Sequence, residues 1–142
     1  MSSSTAKPTA AVLTVSDSCA RGERKDLSGP AVRDRLTQQG FEITSSVVVS
    51  DEQPAIEQTL IRLSSEAQLV VTTGGTGIAE RDVTPEATRA VCSRLIDGIS
   101  EWMRIKGMEQ TSLAALSRGV LSWSSSASIS APCAASHRIK SA

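Results

Sequence analysis

Three short apolar runs divide the first half of the chain. The run "AAVLTVSD" (Ala10–Asp17) stays apolar until its polar end, which predicts a buried first strand. "FEITSSVVVSD" (Phe41–Asp51) and "AQLVVTTGG" (Ala67–Gly75) predict a second and a third strand of the same kind. Near-continuous apolar strands are typical of a mostly parallel sheet that is covered on both faces.

Amphipathic segments between and after these strands predict helices. "SGPAVRDRLTQQG" (Ser28–Gly40) begins with Ser28 as a candidate cap and ends in a glycine, as helices often do. "QPAIEQTLIRLSSE" (Gln53–Glu66) has a single apolar stripe, and "TPEATRAVCSRLI" (Thr84–Ile96) begins with Thr84 as a candidate cap. In the first helix Val32 and Leu36 share a face, and in the second Ile56, Leu60 and Leu63 form one stripe. In the third, Ala87, Val91 and Leu95 are predicted to form a buried stripe.

Composition divides the chain into three stretches. Residues 1–9 form a polar lead that we expect to be disordered, and residues 10–120 carry one domain of alternating strands and helices. The last helices of this domain are predicted in "DGISEWMRIKGM" and "TSLAALSRGV". Residues 121–142, "LSWSSSASISAPCAASHRIKSA", are rich in Ser and Ala, lack acidic residues and show no clean period. We expect a loosely ordered tail there.

Composition and charge argue against several classes of protein. The 142 residues include 15 basic and 15 acidic side chains, and this zero net charge argues against nucleic-acid binding. One Phe, two Trp and no Tyr are too few aromatic residues for a base-stacking surface. No apolar run approaches the ~18 residues that span a membrane, so we expect a soluble cytoplasmic protein.

Cysteine and histidine usage argues against a metal-thiolate site or a disulfide framework. Cys19, Cys92 and Cys133 lie far apart without a CxxC spacing. The only histidine is His137, so a Ser-His-Asp triad would depend on one residue of the tail. We expect His137 to be a solvated tail residue.

Polar clusters follow all three predicted strands. They read "SDS" (Ser16–Ser18), "SDE" (Ser50–Glu52) and "TTGGTG" (Thr72–Gly77). The carboxyl ends of parallel strands meet at one edge of a sheet, and ligands of open α/β sheets bind there. The sequence therefore predicts a site at this edge.

The "GGTG" run can act as a phosphate-binding loop or as an ordinary turn. Glycines can adopt positive φ and let a ligand approach the main chain, whose N–H groups suit an anion. Short glycine runs are also common where a chain simply leaves a sheet. The run matches neither GxxxxGK[ST] nor GxGxxG, which disfavours a P-loop and a standard dinucleotide site.

An acid follows this loop closely. Asp82 lies two residues before Thr84, where it could support the helix start. A carboxylate beside a phosphate site is favourable only with a cation between them, and Mg²⁺ accepts carboxylates together with phosphate oxygens. Asp17 and Asp51 could complete the same acidic group. The residues thus favour a nucleotide or phosphate ligand with magnesium.

The string "TTGGTGIAERDVTPEAT" (Thr72–Thr88) resembles the signature of the molybdenum-cofactor biosynthesis family, which includes the MogA- and MoaB-like proteins. "VLTVSDSCARGERKDLSGP" (Val12–Pro30), "VVVSDE" (Val47–Glu52) and "GISEWMRIKGMEQTSLAALSRGV" (Gly98–Val120) also look like segments of this family, in the same order. The resemblance covers roughly residues 10–120, and its last segment looks more like the adenylyltransferase branch than the MoaB branch.

The resemblance implies a three-layer α/β/α sandwich, a homotrimer and a molybdopterin adenylyltransferase. Such an enzyme transfers AMP from ATP to molybdopterin with Mg²⁺ and passes its product to a molybdate-insertion protein. Little covalent chemistry is asked of the protein, so a site without His or Cys is adequate.

The resemblance also implies roles for individual residues. Asp51 and Asp82 would act in catalysis and bind the metal. Ser117 and Arg118 are weaker candidates, because an Arg at a helix end is more often solvated or paired. The implied substrate-binding residues are Ser16, Asp17, Ser28, Gly29, Thr73, Gly74, Gly75, Thr76, Gly77, Thr84 and Glu86.

The segment after Val120 departs from the family pattern. No LPG[SN]P-like loop occurs in the sequence, and the strand expected before it is missing, which would leave one sheet edge exposed. The abrupt change at Leu121 suggests a frameshifted or truncated reading frame. A molybdopterin-binding protein without transferase activity is therefore an alternative. A competence-damage-type nucleotide pyrophosphatase is another, although its loop pattern differs from "GGTGIAERDVTPE".

Overall fold

A computed structural model describes residues 5–123 and 133–134. Its main sheet has four parallel strands in the order β2-β1-β3-β6, and two further strands pair antiparallel. The three predicted strands are confirmed, each somewhat shorter than its apolar run. The strands are β1 (Thr9–Val15), β2 (Glu42–Val49), β3 (Leu69–Thr73), β4 (Arg94–Leu95), β5 (Ser122–Trp123) and β6 (Cys133–Ala134).

The helices cover both faces of the sheet. Crossovers between parallel strands are almost always right-handed. Because β2 and β3 lie on opposite sides of β1, this rule places their connecting helices on opposite faces. This gives the expected three-layer α/β/α arrangement. The helices are α1 (Asp17–Ala20), α2 (Ser28–Gln38), α3 (Gln53–Glu66), α4 (Thr84–Val91) and α5 (Asp97–Met108), followed by a 3₁₀-helix (Ser112–Leu116).

The core lies between β1 and the α3–α4 layer. β1 is the central strand and is buried from Ala10 to Val15. Its Ala11, Leu13 and Val15 side chains point to the face on which α3 and α4 pack, where the predicted stripe of α3 is fully confirmed. The core cluster is Ala11, Leu13, Val15, Ile56, Leu60, Leu63, Ala67, Val70 and Ala87.

Neither predicted side-chain cap is present. α2 begins after Leu27, and Ser28 does not cap it, since the Asp26 carboxylate accepts the Gly29 N–H instead, at 3.0 Å. α4 begins after Val83, which places Thr84 inside the helix. In both cases the Ser or Thr lies at the start of the helix, as predicted. Its hydroxyl, however, forms a hydrogen bond with another group and does not cap the helix.

α4 ends five residues earlier than the predicted Thr84–Ile96. Cys92 is extended, and the Ser93 N–H donates to the Trp123 carbonyl at 3.0 Å. The Ile96 N–H donates to the Leu121 carbonyl at 2.8 Å. Pairing with a distant segment therefore ends the helix, and Leu95, predicted to be buried, lies exposed in β4.

The expectation of a loose tail is corrected for its first residues. Leu121 and Ser122 are buried and belong to, or adjoin, β5. The two residues of β6 pair with Val70 and Val71 of β3, so this part of the sheet edge is not exposed as expected. His137 lies outside the described residues. Within the described part of the chain, no helix has the length and hydropathy needed to cross a bilayer.

Candidate functional site

The three predicted polar clusters meet at the carboxyl edge of the sheet. Ser16 follows β1, and its N–H donates to the carbonyl of Val49 at the end of β2, at 2.9 Å. Its hydroxyl accepts the Cys19 N–H at 3.3 Å and so caps the short helix α1. Ser16 thus positions the first cluster beside the second rather than pointing freely to a ligand.

Asp17 and Asp51 exchange hydrogen bonds across this edge. The Asp17 N–H donates to Asp51 Oδ2 at 2.9 Å, and the Asp51 N–H donates to Asp17 Oδ1 at 2.8 Å. This reciprocal pair fixes the loops after β1 and β2 to each other. Asp17 also forms an ion pair with Arg81 of the glycine-rich loop. The negative charge of Asp17 is therefore paired with the Arg81 guanidinium.

Asp51 and Asp82 form an acidic pair. Partial burial raises the pKa of the Asp51 carboxyl, and the negative charge of Asp82 raises it further. Carboxylates that repel each other in this way favour a cation between them. Asp82 is held by a short turn, in which its Oδ2 accepts the Ala79 N–H at 3.0 Å.

Gly74 and Gly75 adopt conformations that other residues rarely take. Their φ angles are 96° and 66°. A Cβ on Gly74 would lie 2.2 Å from the Val15 carbonyl oxygen, and one on Gly75 would lie 2.3 Å from Thr84 Oγ1. These glycines therefore allow the loop to pack closely on β1 and α4.

Gly77 lies against the Asp82 carboxylate. Its φ is not positive, unlike those of Gly74 and Gly75. A Cβ there would lie 2.6 Å from Asp82 Oδ2, so the missing side chain makes room for the carboxylate. The last glycine of the run thus belongs to the packing of the acidic pair.

The threonines of the loop are largely buried. Thr73, Thr76 and Thr84 are no more than 9% exposed. The Thr84 hydroxyl donates to the Gly74 carbonyl at 2.9 Å, and its N–H donates to the Gly75 carbonyl at 3.1 Å. Thr84 therefore fastens the glycines to the start of α4, which accounts for its position in the motif.

Arg118 is a site residue whose importance the sequence interpretation underestimated. Its Nε donates to the Gly77 carbonyl at 2.8 Å, and its Nη2 donates to the Asp82 carbonyl. Its Nη1 forms an ion pair with Glu86. The Arg118 N–H donates to the Thr76 carbonyl at 2.9 Å. The sequence analysis expected Arg118 to be solvated or paired, and its ion pair with Glu86 agrees with that. The neighbouring residues in the sequence do not indicate its contacts with the loop.

Glu86 is bound mainly through this arginine. The hydrogen bond from Arg118 lowers the pKa of Glu86, while partial burial opposes that shift. Glu86 Oε2 is buried and has no hydrogen-bond partner among the described residues. Glu86 is therefore linked to the loop through Arg118.

Ser28 and Gly29 belong to a second cluster, centred on Asp26. The Thr14 hydroxyl donates to Asp26 Oδ2 at 2.8 Å, while Asp26 Oδ1 accepts the Gly29 N–H and lies 3.4 Å from Ser28 Oγ. A Cβ on Gly29 would lie 2.3 Å from the Asp26 carboxylate. The structure thus joins α2 to the end of β1 through Asp26, which no sequence motif singled out.

The acidic side chains of the site determine whether a metal ion could bind there. Among the described residues, no group of three or more His, Cys, Asp or Glu side chains could hold a metal ion. Asp17, which could complete the acidic group, forms an ion pair with Arg81. The remaining pair, Asp51 and Asp82, matches the one or two carboxylates with which Mg²⁺ is usually bound beside phosphate.

The fold and site define an α/β protein with a glycine-rich loop and an acidic pair at the carboxyl edge of a parallel sheet. Residues 11–137 match the family model described as "Probable molybdopterin binding domain". The chain belongs to this molybdenum-cofactor biosynthesis family.

Individual relatives agree with this assignment. The chain is 42% identical over 111 residues to the molybdopterin adenylyltransferase of Helicobacter pylori strain J99, covering 75% of this chain and 63% of that protein. It is 42% identical over 114 residues to the molybdopterin adenylyltransferase of Escherichia coli K12, covering 77% and 58%. The crystal structure of the molybdopterin biosynthesis enzyme MoaB from Thermus thermophilus superposes with a TM-score of 0.81 at 38% identity, covering 90% and 79%. The chain thus spans less than two thirds of the length of the two adenylyltransferases.

Proposed function

We propose that this protein is a molybdopterin adenylyltransferase, which transfers AMP from ATP to molybdopterin and releases pyrophosphate. The observation that carries the proposal is that the Asp51 and Asp82 carboxylates lie near enough to influence each other, beside a glycine-rich loop that packs closely on β1 and α4. The 42% identity to proteins of that name supports this choice of reaction.

The reaction joins two anions. A terminal phosphate oxygen of molybdopterin attacks the α-phosphorus of ATP, and the bond from that phosphorus to the bridging oxygen of pyrophosphate breaks. Pyrophosphate leaves with the bonding electron pair. The barrier falls when both phosphates are held in line and their repulsion is screened. The loop from Gly74 to Gly77, in which Gly74 and Gly75 pack closely on β1 and α4, would bind such a phosphate.

Asp51 and Asp82 would hold Mg²⁺. The ion, when bound, supplies positive charge that neutralises the phosphate oxygens and the developing charge on the leaving group. Asp51 is oriented by the Asp17 N–H and Asp82 by the Ala79 N–H. Each carboxylate is therefore fixed by its own loop, which makes the spacing between the two a property of the fold.

We further propose a homotrimer in the cytoplasm that hands its product to a molybdate-insertion protein. A reaction that consumes ATP implies the cytoplasm. Exposed large apolar side chains on α5 and the 3₁₀-helix support association between copies: Ile99, Trp102, Ile105, Met108, Leu113 and Leu116. Light scattering coupled to gel filtration tests the trimer, and a monomeric mass at micromolar concentration would contradict it.

A second function, molybdopterin binding without transfer, has one specific observation in its favour. No LPG[SN]P-like motif follows Val120, although this family usually has one there. Such a protein would bind the pterin but form no adenylylated product.

The test compares matched acidic variants. Full-length protein is incubated with molybdopterin, ATP and Mg²⁺, and adenylyl-molybdopterin is quantified by chromatography. Asp82→Asn keeps an acceptor for the Ala79 N–H but removes the charge, so we expect product formation to fall by at least about 100-fold. Asp34→Asn is the control, because Asp34 is an exposed acid on α2. Equal activity of the two variants would contradict the proposed site. Molybdopterin binding without product in the wild type would favour the second function.

A further inference from the structure

Arg118 contacts the glycine-rich loop at several points along its length. Its own N–H binds the Thr76 carbonyl, and its guanidinium binds the carbonyls of Gly77 and Asp82. These carbonyls lie at the two ends of the turn that carries the Asp82 carboxylate. One side chain therefore spans the turn from its first residue to its last.

The same guanidinium joins the turn to α4. Its Nη1 forms an ion pair with Glu86, in the first turn of that helix. A guanidinium is planar and has donors in a fixed fork, so it can bind two carbonyls and a carboxylate at once. A lysine ammonium is a single point of charge and cannot reproduce this arrangement. The contacts thus require an arginine, not merely a positive charge.

We propose that Arg118 is a positioning residue for the Asp82 carboxylate, and that it sets the affinity of the acidic pair for its metal ion. Its guanidinium nitrogens donate to the Gly77 and Asp82 carbonyls and to Glu86. It fixes the main chain on either side of Asp82, and Gly77 leaves the space that the carboxylate occupies. The inference rests on the proposed function for its catalytic consequence, but the metal affinity is a separate property.

The main-chain contacts, rather than the ion pair, are expected to dominate. Glu86→Gln keeps a neutral acceptor for Arg118 and leaves both carbonyl contacts in place. Arg118→Ala removes all three side-chain contacts. We therefore expect Arg118→Ala to weaken metal binding much more than Glu86→Gln does, and Arg118→Lys to resemble Arg118→Ala.

The first measurement is kinetic. Groups that orient metal ligands typically change metal affinity or activity by about 10–100-fold. For Arg118→Ala we expect a fall of that size in kcat, a matching rise in the Mg²⁺ concentration at half-maximal rate, and a smaller change in the KM for ATP. Added methylguanidinium should restore part of the rate. Arg62→Ala is the control, because Arg62 is an exposed Arg that pairs with Glu66 on α3.

The second measurement does not require turnover. Mn²⁺ binding in the presence of ATP is followed by electron paramagnetic resonance for the wild type, Arg118→Ala and Arg62→Ala. Weaker Mn²⁺ binding in Arg118→Ala alone supports the inference. Equal binding in all three proteins, or none in the wild type, overturns it.

The two measurements separate the two hypotheses. A wild type that binds Mn²⁺ with ATP but forms no adenylylated pterin refutes the proposed function while the comparison of variants still decides the role of Arg118. An active wild type whose Mg²⁺ requirement is unchanged in Arg118→Ala refutes the role of Arg118 alone. A purely structural role would lower thermal stability without moving the Mg²⁺ requirement, and that outcome also counts against the inference.

Discussion

Replacing Gly74 with Ala should destabilise the protein by more than its backbone conformation alone accounts for. Gly74 has a φ of 96°, which costs a residue with a Cβ about 1–2 kcal/mol. The new Cβ would also lie 2.2 Å from the Val15 carbonyl oxygen, which belongs to the central strand and has little room to move. Overpacking of this kind typically costs a further 1–3 kcal/mol or so.

Gly40 offers a matched control for this substitution. Its φ is 92°, close to that of Gly74, but a Cβ there would have nothing within 4 Å. Gly40→Ala should therefore show the conformational cost alone. For a domain of this size about 3 °C of Tm corresponds to 1 kcal/mol, so Gly74→Ala should melt roughly 3–9 °C below Gly40→Ala.

Thermal unfolding followed by circular dichroism measures this difference. Both variants should lose stability relative to the wild type, with Gly74→Ala losing more. Equal losses would refute the conclusion that the first glycine of the loop is needed for close approach to β1. A Gly74→Ala variant as stable as the wild type would refute the backbone conformation as well.

Three further predictions concern side chains of the site. Asp51→Asn should raise the Tm at pH 7, because the raised pKa of Asp51 means that the folded state disfavours the carboxylate. In thermal melts across pH 3–8, the gain in Tm should shrink as the pH falls toward 3.8, the ordinary pKa of an Asp carboxyl. Glu86→Gln should lower the Tm at pH 7, because Arg118 lowers the pKa of Glu86. This loss of Tm should disappear as the pH falls below 4.5, the ordinary pKa of a Glu carboxyl, and then through the lowered pKa. A loss of Tm that persists at pH 3 would contradict this prediction. Asp26→Ala should cost about 1–2 kcal/mol in urea unfolding, since it removes the acceptor for the Thr14 hydroxyl and the Gly29 N–H, whereas Asp26→Asn should cost less.

Local sequence patterns predicted the sheet and α3 well, because the strands and this helix depend little on contacts with distant parts of the chain. The apolar stripe of α3 and the Pro in its first turn lie within one segment, and the predicted Gln53–Glu66 is the observed helix. The polar residues at the strand ends were also predictable, because parallel strands bring their carboxyl ends together. The signature Thr72–Thr88 then pointed to the family that the comparisons show.

The errors share a cause in long-range hydrogen bonds. The early end of α4 depends on Leu121 and Trp123, about thirty residues downstream in the sequence. Arg118 binds carbonyls that lie 36 and 41 residues before it. Asp26 organises the start of α2 by accepting a hydroxyl from β1 as well as a local N–H. The spacing of neighbouring residues in the sequence does not predict these contacts.

We propose that Asp51, Asp82 and the glycine-rich loop together support adenylyl transfer. ATP labelled at the α-phosphorus, supplied with molybdopterin and Mg²⁺, allows the label to be followed in the wild type and in Asp82→Asn. We expect the wild type to place the label in the pterin product and to release unlabelled pyrophosphate in equal amount, and we expect Asp82→Asn to form neither. Label that stays in ATP, or that reaches the pterin equally in both proteins, would contradict it.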